Sequence, residues 1–548
     1  MSPFNSIRQV IYMKKTLSFL LAAAIIISLF ASCAGGYKDP TADIKARQSG
    51  DKYRNYYEIF VGAFEDSDNN SIGDIPGIIS RLDYLNDGDP NTGSDLGVDG
   101  IWLTPIMPSP SYHKYDVEDY FGIDPAFGTI EDFDKLVAEC HKRGIKLIID
   151  MVLNHSSYTH PLFESACDSI INKGKLNADA KYFEIKKYPD NPGDAYTEIA
   201  DGYYYESNFS EHMPEWNLSE QCTRDYFKKI AEFWLKKHDV DGFRLDATKY
   251  YANDHTDAVE FLKWYYSAAK SIKPDVYMVG ENWTGNSEIQ EMYKTGTDSF
   301  FAFGFAGSTG GFVNAVRNQN QQGLISSVKR FEEKTKKNNK DAINCYFLSN
   351  HDQVRSANYN KTAGLSGTKM AAALYMLMPG NSYIYYGEEI GMTQQATALG
   401  DEPKRAPMVW DSKNLPNISV NGKQGSDDTQ IPYGGVKQQL KNENSLLNFY
   451  KRIIKIKNQN PAISRGTITE ELKLDEPGVC GYIVEYKGNK LTIIHNLDKS
   501  ETQTVTGDFP STLRADLVAS NNKNKNDHPT LSKDTLSLPP QSTVVLGE

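Results

Sequence analysis

Apolar positions along this chain switch between two patterns: short runs apolar on both faces, and longer stretches apolar at every third or fourth residue. Residues 56–60 and 97–103 read as the first two strands, the second followed by a Pro-rich loop. Residues 133–143 read as a helix stopped by Gly144. Residues 145–152 then form a continuous apolar strand of the kind buried on both faces in a parallel sheet. The pair recurs as helix 224–238 and strand 242–245, helix 258–272 and strand 276–279, then strand 343–347, helix 369–378 and strand 383–386. Repeated βα units predict parallel strands with covering helices.

Two stretches break the rhythm. Residues 156–220 carry Tyr, Asn, Asp and Gly with no helical period, and 391–440 form a second long irregular segment. Loops of that length in a compact domain are usually functional. A helix follows with Leu446, Phe449, Tyr450, Ile453 and Ile454 on one face. Beyond residue 462 the period becomes that of strands. Residues 482–486 and 491–495 flank Lys487-Gly488-Asn489-Lys490, a hairpin signal, and 543–546 read as a last strand. With 548 residues to place, these elements give an α/β fold. The expected arrangement is a (β/α)8 TIM barrel with an irregular domain inserted after strand 3 and a C-terminal antiparallel β-sandwich domain. The barrel is expected at 51–155 and 221–462, the inserted domain at 156–220 and the β domain at 463–548.

The first residues read as a targeting segment. Lys14 and Lys15 precede an apolar run from Leu17 to Ala31, too short to span a bilayer comfortably. Met13 offers an alternative start. The run ends in Leu29-Phe30-Ala31-Ser32-Cys33, which resembles a bacterial lipobox in which the Cys is lipidated after cleavage. Residues 1–33 are therefore expected to be a lipoprotein signal with lipidated Cys33, and 34–50 a polar tether. That puts the protein at the bacterial cell envelope, facing the periplasm or exterior. A plain secretory signal with an incidental Cys is the alternative.

Composition excludes some partners. The chain is 39% hydrophobic and 24% charged, with a net charge of −12. Phosphates would be repelled, which argues against nucleic acid and against an anionic lipid surface, but not against a neutral sugar. A monomer is expected. Cys140, Cys167, Cys222, Cys345 and Cys480 are widely spread with no zinc-like spacing, so buried free thiols with at most one or two bridges are expected. No phosphate-cradling Gly loop appears.

Barrel enzymes carry their chemistry where strands run into βα loops. Three acids sit at such places: Asp246 ends Asp241-Gly242-Phe243-Arg244-Leu245-Asp246, Glu281 ends Tyr277-Met278-Val279-Gly280-Glu281, and Asp352 follows Ser349-Asn350-His351. Residues two apart in a strand share a face, so Arg244 and Asp246 point the same way. A guanidinium beside a carboxylate keeps it ionised, which suits a nucleophile.

With these motifs in view the sequence resembles the α-amylase family of glycoside hydrolases, family 13, from about residue 53 to the end. Asp150-Met151-Val152-Leu153-Asn154-His155 is similar to the family's third-strand block, and Gly242-Phe243-Arg244-Leu245-Asp246-Ala247-Thr248-Lys249 to its nucleophile block. Gly280-Glu281-Asn282-Trp283 resembles the acid/base block and Ser349-Asn350-His351-Asp352-Gln353 the seventh-strand block; all four lie in the family's order. The resemblance implies that Asp246 is the nucleophile, Glu281 the general acid/base and Asp352 the transition-state stabiliser. Retention needs one carboxyl protonated and one charged, so Glu281 should be the less charge-compensated of that pair. By the same resemblance His155 and His351 hydrogen-bond the sugar in the cleavage subsite. Tyr115, in Tyr112-His113-Lys114-Tyr115-Asp116, stacks on that sugar, and Lys249 touches the leaving-group side. Arg355 is expected to tie down the loop of Asp352.

Calcium is the expected cofactor. Asp66-Ser67-Asp68-Asn69-Asn70-Ser71-Ile72-Gly73-Asp74 puts oxygen ligands at alternate positions. Similar loops after the first strand bind calcium in part of the family, giving Asp66, Asp68, Asn70, Ile72 through its carbonyl, and Asp74. The resemblance implies a second site using Asn154 and a carbonyl at Tyr250. For substrate, the small Ala247 resembles members acting on α-1,4 bonds. In Met213-Pro214-Glu215-Trp216-Asn217-Leu218 the Glu215 and Trp216 depart from the more usual Asp and Leu. Arg405-Ala406-Pro407-Met408-Val409-Trp410 resembles a block of oligosaccharide-acting members. The expected activity is α-1,4 cleavage of starch and maltooligosaccharides. The alternatives are an exo-acting α-glucosidase, a cyclomaltodextrinase or a glucan transglycosylase, and more distantly a non-catalytic glucan-binding lipoprotein.

Overall fold

Tyr56 in the first strand lies directly over Gly100 in the second. A Cβ at Gly100 would come within 2.5 Å of the Tyr56 ring, so only glycine lets the two strands pair at that level. The computed structural model describes residues 50–252, 255–321, 323–360, 363–395, 400–424, 429–520 and 528–547. The targeting segment, Cys33 and residues 34–49 of the tether lie outside them.

Eight parallel strands make one sheet: Asn55–Ile59, Gly100–Leu103, Lys146–Met151, Gly242–Leu245, Tyr277–Gly280, Ser299–Phe300, Cys345–Phe347 and Asn381–Tyr385. Numbered from one to eight in that order, they run 7-8-1-2-3-4-5-6 across the sheet. A parallel bridge between Phe301 and Cys345 joins strands six and seven, so the ladder closes on itself. The barrel is thus the expected one. The sixth strand was not visible in the pattern, because two paired residues are too short to carry a period.

Inside, the barrel is packed rather than hollow. Tyr56, Tyr277 and Tyr383 stack near its floor, with ring centroids 5.3 and 4.7 Å from Tyr56. Trp102 fills the level above, against Phe301 and Tyr383. Above that the inward positions turn polar: Glu58, Asp150 and Arg244 are all buried, and Asp150 and Arg244 are register partners on strands three and four. Buried charges persist only when paired, so this layer points to a site above it.

The covering helices follow local signals. Ile130–Lys142 starts at a capping box, Thr129 with Asp132, and ends before Gly144 at φ 76°. Ser445 caps Leu446–Gln459, whose Leu446, Phe449, Tyr450, Ile453 and Ile454 are buried as the period predicts. The helix expected at 224–238 begins earlier, Gln221–Glu232, and finishes as a π-helical turn, Phe233–Lys237.

One expectation is corrected in the inserted domain. Residues 156–220 contain a regular helix, Pro161–Lys173, beside a three-stranded antiparallel sheet of Ile185–Lys187, Tyr203–Glu206 and Tyr196–Ala200. Its buried face is Phe163, Ala166 and Ile170. The polar residues around them hid that spacing, while Pro161 at its start and Gly174 at its end, φ 63°, were the readable signals. The described residues of segment 391–440 are mostly irregular, with two-residue strand pairs and the short helix Val436–Gln439.

The C-terminal domain has a five-stranded antiparallel sheet facing a three-stranded one. Val479, Ile494, Val505, Leu536, Leu538, Val544 and Leu546 form the core between them. The hairpin turn is only Lys487-Gly488, both at positive φ, while Asn489 and Lys490 already pair in the strand. Cys140, Cys167, Cys222, Cys345 and Cys480 are free thiols.

Candidate active site

The carboxyl ends of strands three, four, five and seven deliver the side chains singled out above, and one guanidinium organises them. Arg244 projects inward from strand four and is fully buried. Its Nη1 donates to Asp150 Oδ1 at 2.8 Å and to Asp246 Oδ1 at 2.7 Å. Its Nη2 lies 3.0 Å from Glu281 Oε2, as an ion-pair contact without hydrogen-bond geometry. Arg244 therefore touches both acids, and of the two donates a hydrogen bond only to Asp246.

The Glu281 carboxyl takes its hydrogen bond from the backbone. Ala247, next after Asp246, adopts a left-handed conformation with φ 49° and ψ 38°. In that conformation its N–H reaches Glu281 Oε2 at 3.1 Å. A non-glycine residue there is strained, and such strain collects at functional sites. Burial pushes the Glu281 carboxyl up to about 7, against the pull of Arg244 and with the help of the neighbouring Asp246 and Asp352 charges. A carboxyl at that level is protonated for much of the neutral range, as a general acid requires.

Asp352 arrives from the loop after strand seven and is the most open of the three acids, with its side chain 32% exposed. His351 Nε2 lies 3.1 Å from its Oδ2, and Arg405 Nη2 donates to its Oδ1 at 2.8 Å. Burial opposes its charge, but these two cations outweigh it and hold the carboxyl well below the usual carboxylate range. His351 is fully buried with both nitrogens engaged: Nδ1 with Glu58 at 2.6 Å, Nε2 with Tyr115 Oη at 2.7 Å. Burial disfavours its cation, yet Asp352 and Glu58 prevail and push the imidazole up to about 10.

Tyr115 closes the circuit. Its hydroxyl donates to Asp150 Oδ2 at 3.0 Å and meets His351, whose ring stacks on the Tyr115 ring at 5.5 Å. Asp246, Glu281 and Asp352 thus surround one mouth, linked beneath by Arg244, Asp150, Tyr115, His351 and Glu58. Sequence reasoning missed Glu58, and read Arg405 only as part of a block resembling oligosaccharide-acting members, without its contact to Asp352. Nothing marks Glu58 in the middle of a strand, although an acid in an otherwise apolar strand was a signal. Arg405 lies in an irregular segment, far along the chain from its partner.

The remaining expected residues sit around this centre. His155 is buried at the end of strand three, and its Nε2 has no partner among the described residues. Its ring packs 5.1 Å from Phe209 of the inserted domain. Lys249 is exposed at the rim, over the Tyr250 ring at 5.3 Å. Arg355 is buried and donates to the carbonyls of Tyr386 and Ala406, tying the loops after strands seven and eight together as expected.

The acidic loop after strand one was tested for a cation. Asp66, Asp68 and Asp74 bring carboxylate oxygens within 4.8 Å of one another. Backbone N–H groups aim them: Asn69 and Ser71 donate to Asp66, Asn70 to Asp68, and Ile72 to Asn70 Oδ1. Asn69 and Ser71 take positive φ to do so. Asp74 Oδ1 also caps helix Ile75–Ser80 through Gly77 N–H. An all-oxygen donor set with three negative charges fits a hard divalent cation. Asn154 lies apart from this loop, at the end of strand three, hydrogen-bonded to Glu215.

Comparison with known proteins agrees with this geometry. The family model described as "Alpha amylase, catalytic domain" matches residues 58–466. The chain is 34% identical over 546 residues to "Alpha-amylase 3" of Dictyoglomus thermophilum, covering 98% of each protein. It is 27% identical to the "Oligo-1,6-glucosidase" of Bacillus cereus, covering 81% of this chain and 90% of that one. Among solved structures, Eubacterium rectale Amy13B matches with a TM-score of 0.83 at 37% identity, over 93% of this chain and 99% of that one. An α-amylase from H. orenii matches with a TM-score of 0.79 at 33% identity, over 91% and 100%.

Proposed function

Because the chain belongs to the α-amylase family of glycoside hydrolases, we propose that Asp246, Glu281 and Asp352 carry out retaining cleavage of α-1,4 bonds in starch and maltooligosaccharides. The protein is an α-amylase-like glycoside hydrolase acting on α-glucans. One observation carries the assignment of roles: a single buried guanidinium, Arg244, binds Asp246 by a hydrogen bond and Glu281 only by contact. That asymmetry separates a carboxylate gripped by a charged hydrogen bond from one that can carry a proton.

In the first step the Asp246 carboxylate attacks the anomeric carbon while Glu281 gives its proton to the glycosidic oxygen. The bond to the leaving sugar breaks and a glycosyl ester forms on Asp246. The Glu281 carboxylate then takes a proton from water, the water oxygen attacks the same carbon, and Asp246 is released with the anomeric configuration retained. Asp352, ionised and open to the mouth, accepts hydroxyls of the ring being distorted. His155, with a free buried nitrogen beside the mouth, offers a further polar contact to that sugar, and Lys249 stands on the leaving-group side.

Calcium held by Asp66, Asp68, Asn70, the Ile72 carbonyl and Asp74 would neutralise that loop and fix the entry to helix Ile75–Ser80. Asn154 belongs to a second, separate cation site in this proposal. A lipid on Cys33 would hold a monomeric enzyme at the bacterial envelope, on the periplasmic or outer face.

Chromatography of early products tests the reading. Soluble starch should give a ladder of maltooligosaccharides, with maltose cleaved slowly. Glucose as the sole early product would favour the exo-acting alternative, and products of inverted configuration would end the proposed mechanism.

A further inference from the structure

We propose that Arg405 is a positioning residue for the reaction, fixing the Asp352 carboxylate in place from the loop after the neighbouring strand eight. The inference rests on the role of Asp352 given above and adds a residue to it. Arg405 ends the turn Glu402–Arg405, after strand eight, and is buried although it carries a full charge. Each of its three nitrogens has its own partner on a different loop or atom. Nη2 donates to Asp352 Oδ1 at 2.8 Å, Nε to the His351 carbonyl at 3.2 Å, and Nη1 to Tyr112 Oη at 2.9 Å. The fork thus grips both the carboxylate and the backbone that bears it, and anchors them to the loop after strand two. A planar guanidinium can do this and an ammonium cannot.

The geometry at Asp352 gives the grip a purpose. His351 takes Oδ2 from beneath, and Arg405 takes Oδ1 from the side. A carboxylate oxygen has two lone pairs, so each oxygen keeps one free toward the mouth. The carboxylate cannot rotate without breaking one charged contact. It is therefore presented to sugar hydroxyls already oriented, and the reorganisation that would weaken transition-state stabilisation is avoided. The charges facing Asp352 come from every loop packed on it. His351 and Arg405 are the nearest, Arg244 lies below, and Glu281, His113 and Tyr115 are close enough to be felt. Asp401 sits 3.6 Å from the same Nη2 and competes for it. Arg405 packs against the Phe60 and Tyr112 rings, each at 5.5 Å, which leaves it little freedom to swing to Asp401.

The test compares Arg405→Ala, Arg405→Lys and Tyr112→Phe in the full chain, with kcat, KM and pH profiles on maltoheptaose. Arg405→Ala should lower kcat by about 100-fold with KM changed far less. Its acid limb should stay in place, because Asp352 lies so far below the usual carboxylate range that it remains ionised beside His351. Millimolar guanidinium should restore part of the lost rate. Arg405→Lys keeps the charge but not the fork, so its acid limb should stay while kcat falls at least about fivefold. Tyr112→Phe leaves Arg405 on Asp352 and should leave the acid limb in place. A kcat within about threefold of wild type in folded Arg405→Ala, or a lost rate that guanidinium does not restore at all, overturns the proposal. If that variant fails to fold, full kcat in Arg405→Lys overturns it instead. Asp246→Asn is the separate control: if it keeps turnover, the catalytic reading itself fails, whereas its inactivity beside a silent Arg405→Ala removes only the role of Arg405.

Discussion

The backbone N–H of Ala247 donates to Glu281 Oε2 at 3.1 Å, so the residue that follows the proposed nucleophile on strand four also holds the proposed acid/base on strand five. Thr248 reinforces the link, its N–H and hydroxyl both donating to the Glu281 carbonyl, at 2.8 and 2.7 Å. The backbones that bear the two acids are thus tied together between strands four and five.

That link makes Ala247 a sensitive position. Its left-handed conformation costs an L-residue roughly 1–2 kcal/mol, and glycine pays nothing there. Ala247→Gly should keep kcat within about threefold and leave Tm unchanged or raised. Ala247→Val brings a β-branched side chain to φ 49° and should turn the N–H off Glu281, lowering kcat by about tenfold or more. Steady-state kinetics with thermal melts on both variants would decide it.

The raised Glu281 carboxyl sets the alkaline side of the pH profile. As the general acid it must be protonated in the first step, so kcat/KM should fall as pH rises through about 7. Glu281→Gln should abolish hydrolysis of maltooligosaccharides, spare their binding in calorimetry, and remove this limb from the residual rate with activated aryl glycosides, whose leaving groups need no proton. A limb that survives in Glu281→Gln would assign it to another group.

Arg244 is the counterion for a buried layer, and its loss should destabilise the fold as well as the chemistry. Arg244→Ala strands Asp150, Asp246 and Glu281, for about 3–5 kcal/mol. The deficit should depend on pH. Stranded carboxyls have folded pKa values above their unfolded ones, so the folded variant binds more protons, and its stability falls as pH rises through that window. Urea melts at pH 5 and pH 8 should show the larger loss at pH 8.

Calcium at the first-strand loop predicts a chelator effect on stability rather than on the shape of the mouth. EDTA should lower Tm and added calcium restore it, by about 2.7 kcal/mol at a hundred times Kd. Asp68→Asn, which removes one of the three gathered carboxylates, should blunt the response. A wild-type melt indifferent to EDTA and calcium would remove the site.

Lipid attachment is tested by fractionation. Wild-type protein expressed in a bacterial host should travel with membranes and label with a fatty-acid probe, while Cys33→Ser should do neither.

Much of this was legible because strand ends are short. A four-residue strand that stops at an acid, as in Gly242–Leu245 before Asp246 and Tyr277–Gly280 before Glu281, marks both the sheet and the place of the acid. What escaped lacks local signal. Ser299–Phe300 is a strand only because its neighbours close the barrel around it. Helix Pro161–Lys173 buries three small patches among polar residues, so its period is faint. Arg405 finds Asp352 across an irregular segment whose path no pairwise spacing describes.

The chain enters the barrel at its floor. Lys52 reaches the Val276 carbonyl and Asp298, just ahead of strands five and six, and Asp51 pairs with Arg465 beneath them. The acids stand at the opposite pole. A lipid on Cys33, as proposed, would therefore be joined to the pole away from the cleft. Long, branched or granular polymers could then dock from outside without ever threading the gap between enzyme and lipid.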